Sequence, residues 1–323
     1  MHRQTRRRFL KEVAALGGAM AVGPWSVLAE EGSKPPSPSD ADSAQADMAI
    51  ARLESPATVD TDLKSAATRL TEHALEALGG MGRFVSKGDV VWVKPNMGWN
   101  RAPELAACTN PDVVATLVRL SLEAGAKTVR VGDNPCHEAK QTYRSSGIEE
   151  AARAAGAEIV YLDSRRFKEV GLLGKRLKKW ELYPDIIESD LVINVPIVKH
   201  HSLCKATLCM KNYMGIIGGQ RNAWHQALTE CLIDITSFMK PRLCVLDAVR
   251  ILTGHGPQGG KTSDVKLAGI IAAGTDIVAL DAFGLELLER DPQDTRMVKA
   301  AHEAGLGEID YRNNLSLKEL LVS

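Results

Sequence analysis

The stretch Asp190-Leu191-Val192-Ile193-Asn194-Val195-Pro196-Ile197-Val198-Lys199-His200-His201 carries the reading of the fold. Leu191 to Val195 is an apolar run of strand length, and the polar and cationic side chains come only after it. Working outward, runs of the same kind stand at Val90–Val93, Thr128–Val131, Ile159–Leu162, Leu243–Leu246 and Leu267–Ala273. Between them lie segments of helical period. Lys64 to Leu78 is spaced at Leu70, Ala74 and Leu78 and stopped by Gly79-Gly80; Pro111 to Ala124 follows Asn110 as a cap and ends at Gly125. Further helices are expected at Ile148–Ala155, Leu228–Met239, Ile277–Leu288 and Thr295–Ala304, with a tail at Leu315–Val322. The alternation predicts an α/β fold, a mostly parallel sheet covered by helices. Val170 to Tyr183, turned at Gly174-Lys175, breaks the repeat as an inserted β-hairpin. With no internal repeat and no second linker, residues 62–323 read as one domain.

In open parallel sheets ligands bind beyond the carboxyl ends of the strands, where helix N-termini and loops present free N–H groups. The residues just after the strands are therefore the candidates. Val90–Val93 leads to Lys94-Pro95-Asn96, Val129–Val131 to Gly132-Asp133-Asn134, Val192–Val195 to Lys199 and His201, and Val245-Leu246 to Asp247. The longest irregular stretch is expected from Lys199 to His225, and it gathers Lys199, Lys205, Lys211, Arg221, Thr207, Asn212 and a Gly218-Gly219 turn. A loop of that length in a compact domain points to function. Cationic side chains beside glycine backbone suit a carboxylate or phosphate. Lys94, Asn96, Asp133, Lys199, Thr207, Asn212 and Arg221 are thus expected to bind a ligand or cofactor, and His201, Lys211, His225 and Asp247 to carry chemistry. His201 and His225 are candidates for acid/base work or metal ligation, against a simple loop-stapling role. Asp133 and Asp247 are weighed against helix capping. His73, His137, His255 and His302 rank lower.

The chain has 323 residues, 45% hydrophobic and 25% charged, enough for a sizeable core. Forty basic residues balance forty acidic ones, so the strong positive field of a nucleic-acid binder is missing. Thr5 to Lys11 (TRRRFLK) precedes a small-residue apolar run from Val13 to Gly23 and then Val27-Leu28-Ala29. This resembles a twin-arginine export signal over residues 1–29, read by the translocation machinery as an address, and it places the protein in the periplasm or an equivalent compartment. The run is too short and glycine-rich for a permanent membrane anchor. Its removal would take five basic residues and one acid, leaving a mildly acidic chain. Residues 30–47 are polar and proline-rich, and 30–61 is expected to be a flexible linker.

Several of these segments together resemble the DUF362 family: Lys94-Pro95-Asn96, Gly132-Asp133, Asp190 to His201, Thr207-Leu208-Cys209-Met210-Lys211-Asn212-Tyr213-Met214-Gly215, Arg221 with His225, Leu246-Asp247, Gly254 to Pro257, and Ala279-Leu280-Asp281-Ala282. The resemblance runs from about Ala74 to Phe283. It implies a domain without an established general activity, sometimes accompanied by a cysteine-rich iron-sulphur segment. The six cysteines here, Cys108, Cys136, Cys204, Cys209, Cys231 and Cys244, contain no C-x-x-C pair, so a built-in iron-sulphur cluster is not expected. Cys231 and Cys244 read as buried thiols; Cys204 and Cys209 stay open as packed thiols, a disulfide, or soft ligands beside the histidines for a possible metal ion. A looser resemblance in the order of His201, Lys211 and His225 is to nickel-pincer lactate racemase, which implies a cofactor or a substrate carbonyl facing Lys211 and His201. The reading is an exported enzyme that takes a small anionic substrate or a metal-containing cofactor at the carboxyl edge of the sheet. Its alternative is a non-catalytic periplasmic ligand-binding or metal-delivery protein.

Overall fold

The structure, a computed structural model, describes residues 45–56 and 62–323. The signal peptide expected at 1–29 and most of the linker lie outside the described residues. In chain order the elements are β1 Met48–Leu53, α1 Leu63–Ala77, β2 Val90–Pro95, α2 Pro111–Glu123, β3 Thr128–Val131, α3 Ala139–Ser145, α4 Ile148–Ala154, β4 Glu158–Ile159, β5 Lys168–Gly171, β6 Lys179–Leu182, β7 Leu191–Val195, β8 Ile197–His201, β9 Lys205–Thr207, α5 Leu228–Met239, β10 Leu243–Leu252, β11 Val265–Gly274, α6 Ile277–Leu287, α7 Arg296–Glu303 and β12 Leu317–Val322. The one-turn helix Cys209–Asn212 matters for the site.

The main sheet runs β12-β1-β11-β10-β7-β2-β3-β4. From β10 to β4 every pair is parallel, while β11 is antiparallel to both of its neighbours. The fold is α/β with a mostly parallel sheet, and β5 and β6 form a separate antiparallel hairpin. Successive residues of each strand point to opposite faces, which splits the core in two. Val91, Val93, Ile193 and Val245 lie in the cluster with α1 and α2, whereas Trp92, Val192, Cys244 and Leu246 join the one holding α5 and α6. Helix α2 starts as its sequence demands: the Asn110 side chain accepts from Asp112 N at 2.8 Å and Pro111 occupies the first turn.

Three expectations need correcting. Met48 to Leu53, assigned to the linker, is a nearly fully buried strand between β11 and β12, so the domain begins before residue 62. Its six residues are too few to show a period, and burial on both faces removes the alternation that would have marked it. Lys199 to His225 is not irregular throughout, because Lys199 to Thr207 forms the β8–β9 hairpin, with Lys199 opposite Thr207 and His201 opposite Lys205. Finally, β10 does not end at Leu246. After Pro196 the chain returns beside it as β8, so β10 continues to Leu252 and Asp247 sits in mid-strand opposite Ile271 of β11.

Candidate functional site

Adjacent parallel strands β2 and β3 deliver Lys94 and Asp133 to the same edge. Their ions are both almost fully buried and pair at 2.7 Å, Lys94 Nζ to Asp133 Oδ1. The other two ammonium protons go to Pro95 O at 2.8 Å and Asn212 Oδ1 at 2.9 Å. Asp133 also accepts from Met97 N at 2.7 Å and Asn134 N at 3.0 Å. Burial nevertheless pushes Lys94 below the ordinary lysine value, with desolvation outweighing the attraction of Asp133. The backbone closes over the pair at Gly215. A Cβ there would stand 1.7 Å from Asp133 Oδ1, so only glycine fits.

Asn212 extends this pair into a network. Its amide donates to Asn194 Oδ1 at 2.8 Å and Lys94 O at 3.2 Å, and its carbonyl oxygen also accepts from Asn96 Nδ2 at 3.1 Å. Asn96 Oδ1 in turn accepts from Lys199 Nζ at 2.9 Å, and Lys199 reaches Ala107 O at 2.5 Å. Both acceptors of Lys199 are neutral. Burial, with some repulsion from Lys211, pushes its pKa down to about 8.

Lys199 and His201 are two residues apart on β8, so they share a face, while His200 turns away to accept from Gly256 N at 3.1 Å. His201 Nδ1 accepts from Leu203 N at 3.1 Å, which leaves the ring proton on Nε2. Burial first, then the charges of Lys211 and Lys199, holds His201 down to about 3. His201 is therefore a neutral N–H donor near pH 7. His225, 6.2 Å away between ring centres, has the opposite polarity: its Nδ1 lies 3.2 Å from Asn222 O, a carbonyl that can only accept, so in the neutral ring the lone pair is on Nε2.

Lys211 sits on the Cys209–Asn212 turn, 9% exposed, and makes no hydrogen bond or ion pair with any described residue. Desolvation, and more weakly Arg221, lowers its pKa. The Thr207 hydroxyl, across the hairpin from Lys199, is likewise buried without a partner among the described residues. Arg221 donates to Asn134 O and Pro135 O and lies 3.5 Å from Cys136 Sγ, which fixes its guanidinium at the rim.

Lys94, Asn96, Asp133, Lys199, His201, Thr207, Lys211, Asn212 and Arg221 are thus brought together, with His225 beside them. Asp247 is not part of this group. Its carboxylate accepts from Asn110 N at 2.7 Å and Val249 N at 3.0 Å, and burial raises it to about 6. It ties the start of α2 to β10, the capping-type alternative for that residue. A depression of about 330 Å³ lined by Cys204, His225 and Thr229 adjoins the site. A larger groove of about 1060 Å³ lies at the opposite strand ends, by Asp190 and Lys240.

Two residues that hold the site were not singled out from sequence. Asp281, inside the apolar helix α6, accepts from Cys209 N at 2.6 Å and Met210 N at 3.2 Å, fixing the turn that carries Lys211; burial raises it to about 7. Asn194 donates to Cys209 O at 2.9 Å and accepts from Asn212. Each is a polar residue in an otherwise apolar run, and that is the signal, since a buried polar group needs partners. The cysteines are free thiols: Cys209, Cys231 and Cys244 are buried, Cys204 half-buried. Among the described residues no three His, Cys, Asp or Glu side chains are grouped to hold a metal ion.

A family model described as "Domain of unknown function (DUF362)" matches residues 91–286, which takes in nearly all of these residues. The chain belongs to the DUF362 family. A relative of this DUF362 chain, the thylakoid-associated protein sll1697 of Synechocystis sp., is 31% identical over 241 residues, 72% of the chain and 73% of the relative. Among solved structures, the lactate racemase apoprotein from Thermoanaerobacterium thermosaccharolyticum matches with a TM-score of 0.39 at 13% identity, over 74% of this chain and 56% of the other. No helix among the described residues of the DUF362 chain is long and apolar enough to cross a membrane.

Proposed function

We propose that this DUF362 chain binds a small oxyanion, a carboxylate or phosphate group of its substrate, between Lys199, Lys211, Arg221, Thr207 and His201. The observation that carries this is Lys211, a nine-tenths buried side chain whose ammonium has no acceptor among the described residues. Four cationic side chains converge with one carboxylate, Asp133, which is already paired with Lys94. An isolated buried charge is unfavourable by several kcal/mol, and an anion is what offsets it. The groups left over between these side chains can all donate: an ammonium, a hydroxyl and the Nε2–H of His201. That set suits an acceptor-only ligand and is the wrong charge for a bare divalent cation. His225, with its free Nε2, supplies a base at the rim, and so we read the site as that of an enzyme rather than a binding module. The export reading of residues 1–29 belongs to the same proposal.

The test uses oxalate and inorganic phosphate in calorimetric titrations of the full chain and of Lys211→Met. The variant is expected to lose at least tenfold in affinity while melting at or above the wild-type temperature, because an unpaired buried charge has been removed. Equal affinity in the two proteins, or binding of neither anion by the wild type, overturns the reading.

A further inference from the structure

Resting on the oxyanion reading, we propose that Lys211 is a nucleophile that forms an imine with the carbonyl carbon of a small 2-oxo acid whose carboxylate is held by Lys199 and Arg221. Asp133 is taken by Lys94 and two backbone N–H groups, and Lys94 spends all three protons on fixed acceptors. The His201 lone pair at Nδ1 is occupied by Leu203 N. Lys199 donates to Asn96 and Ala107 and keeps one proton for a ligand. Of the cationic side chains of the site, Lys211 alone is bonded to nothing described. A desolvated lysine in an apolar or cationic setting is what makes an amine nucleophilic near neutral pH, and burial chiefly, with Arg221 adding weakly, acts on Lys211 in that direction.

The step balances. Lys211 gives one proton to His225 Nε2, whose Nδ1 is turned to Asn222 O. The freed nitrogen pair attacks the carbonyl carbon, a C–N bond forms, and the C=O electron pair moves to oxygen, where the His201 Nε2–H stabilises it. Protons from the nitrogen and from His225 then convert that oxygen into water, which leaves as the C=N bond forms. The net change is an ammonium plus a carbonyl compound giving an iminium plus water, with no oxidant or reductant consumed.

Glyoxylate, the smallest 2-oxo acid, is the probe. The full chain is incubated with it and sodium cyanoborohydride at pH 7, and the modified lysines are located by peptide mass mapping. Lys211 is expected to be labelled at least tenfold faster than any other lysine, oxalate is expected to protect it, and Lys211→Arg is expected to abolish the selective label. Labelling spread over surface lysines, with oxalate still binding, overturns imine formation and leaves the oxyanion site standing. Failure of oxalate to bind removes both.

Discussion

Lys199→Met tests the electrostatics of the site without any knowledge of the substrate. The ammonium is 1% exposed and bonded only to the neutral oxygens of Asn96 and Ala107. Its pKa is pushed down to about 8 from the ordinary 10.5, mainly by desolvation. Between those values the unfolded chain binds more protons than the folded one, so folding stability rises with pH across the window. Below pH 8 the full penalty is present; at about 1.4 kcal/mol per pH unit it comes to about 3 kcal/mol. Methionine carries no charge and has no such penalty. The stability of the variant relative to the wild type should therefore be about 3 kcal/mol more favourable at pH 7 than at pH 10.5. The two lost hydrogen bonds shift both ends of that comparison equally and cancel. So do the alkaline titrations of Cys209 and Tyr143, whose pKa values burial raises in both proteins, while the buried Cys108 thiol, held lower by the Lys199 charge, is replaced by serine in both proteins. Urea unfolding of the two proteins at half-unit pH steps gives the difference directly. A flat difference from pH 7 to 10.5 would show that Lys199 is not an uncompensated buried cation, and the charge argument for the site would fall with it.

Anion binding should draw Lys199 back toward its ordinary value. At pH 8, calorimetry in buffers of different ionisation enthalpy should register uptake of about half a proton per bound oxalate, and affinity should fall above pH 8 as the folded-state ammonium titrates. Gly215→Ala places a methyl against the Asp133 carboxylate and should break the pair with Lys94, lowering stability by about 3–5 kcal/mol in urea unfolding; a loss under 1 kcal/mol would mean the backbone there yields freely. Replacing Arg6 and Arg7 together by lysine keeps the charge of the leader but should block export, leaving the protein in the cytoplasmic fraction; unchanged export would remove the twin-arginine reading.

How much of this was legible in the sequence differs from segment to segment. Leu191–Val195 and Val90–Val93 read as strands because four or five apolar residues bounded by polar ones leave few alternatives, and both lie where they were expected. Asn110-Pro111 marked the start of α2 because capping is chemistry local to the chain. The strand Met48–Leu53 escaped because nothing within six residues says that its partners lie more than 200 positions away, at β11 and β12. Asp247 was placed at a strand end because local sequence shows where an apolar run stops, not where a neighbouring strand keeps hydrogen bonding alive past it.

Residue type and order alone determined the central strands β2, β3 and β7 and the helices between them, that their sheet is mostly parallel, and therefore which edge gathers Lys94, Asp133 and Lys199. Those are consequences of short-range sterics, burial periodicity and the direction of the strands. Which of the gathered groups remain available was decided by tertiary packing. Lys94 and Lys211 are both lysines next to an asparagine or one residue from it, yet one meets Asp133 and the other meets no acceptor among the described residues. A charge inside a protein is worth what its three-dimensional neighbours make it worth, and those neighbours come from strands and turns far apart along the chain.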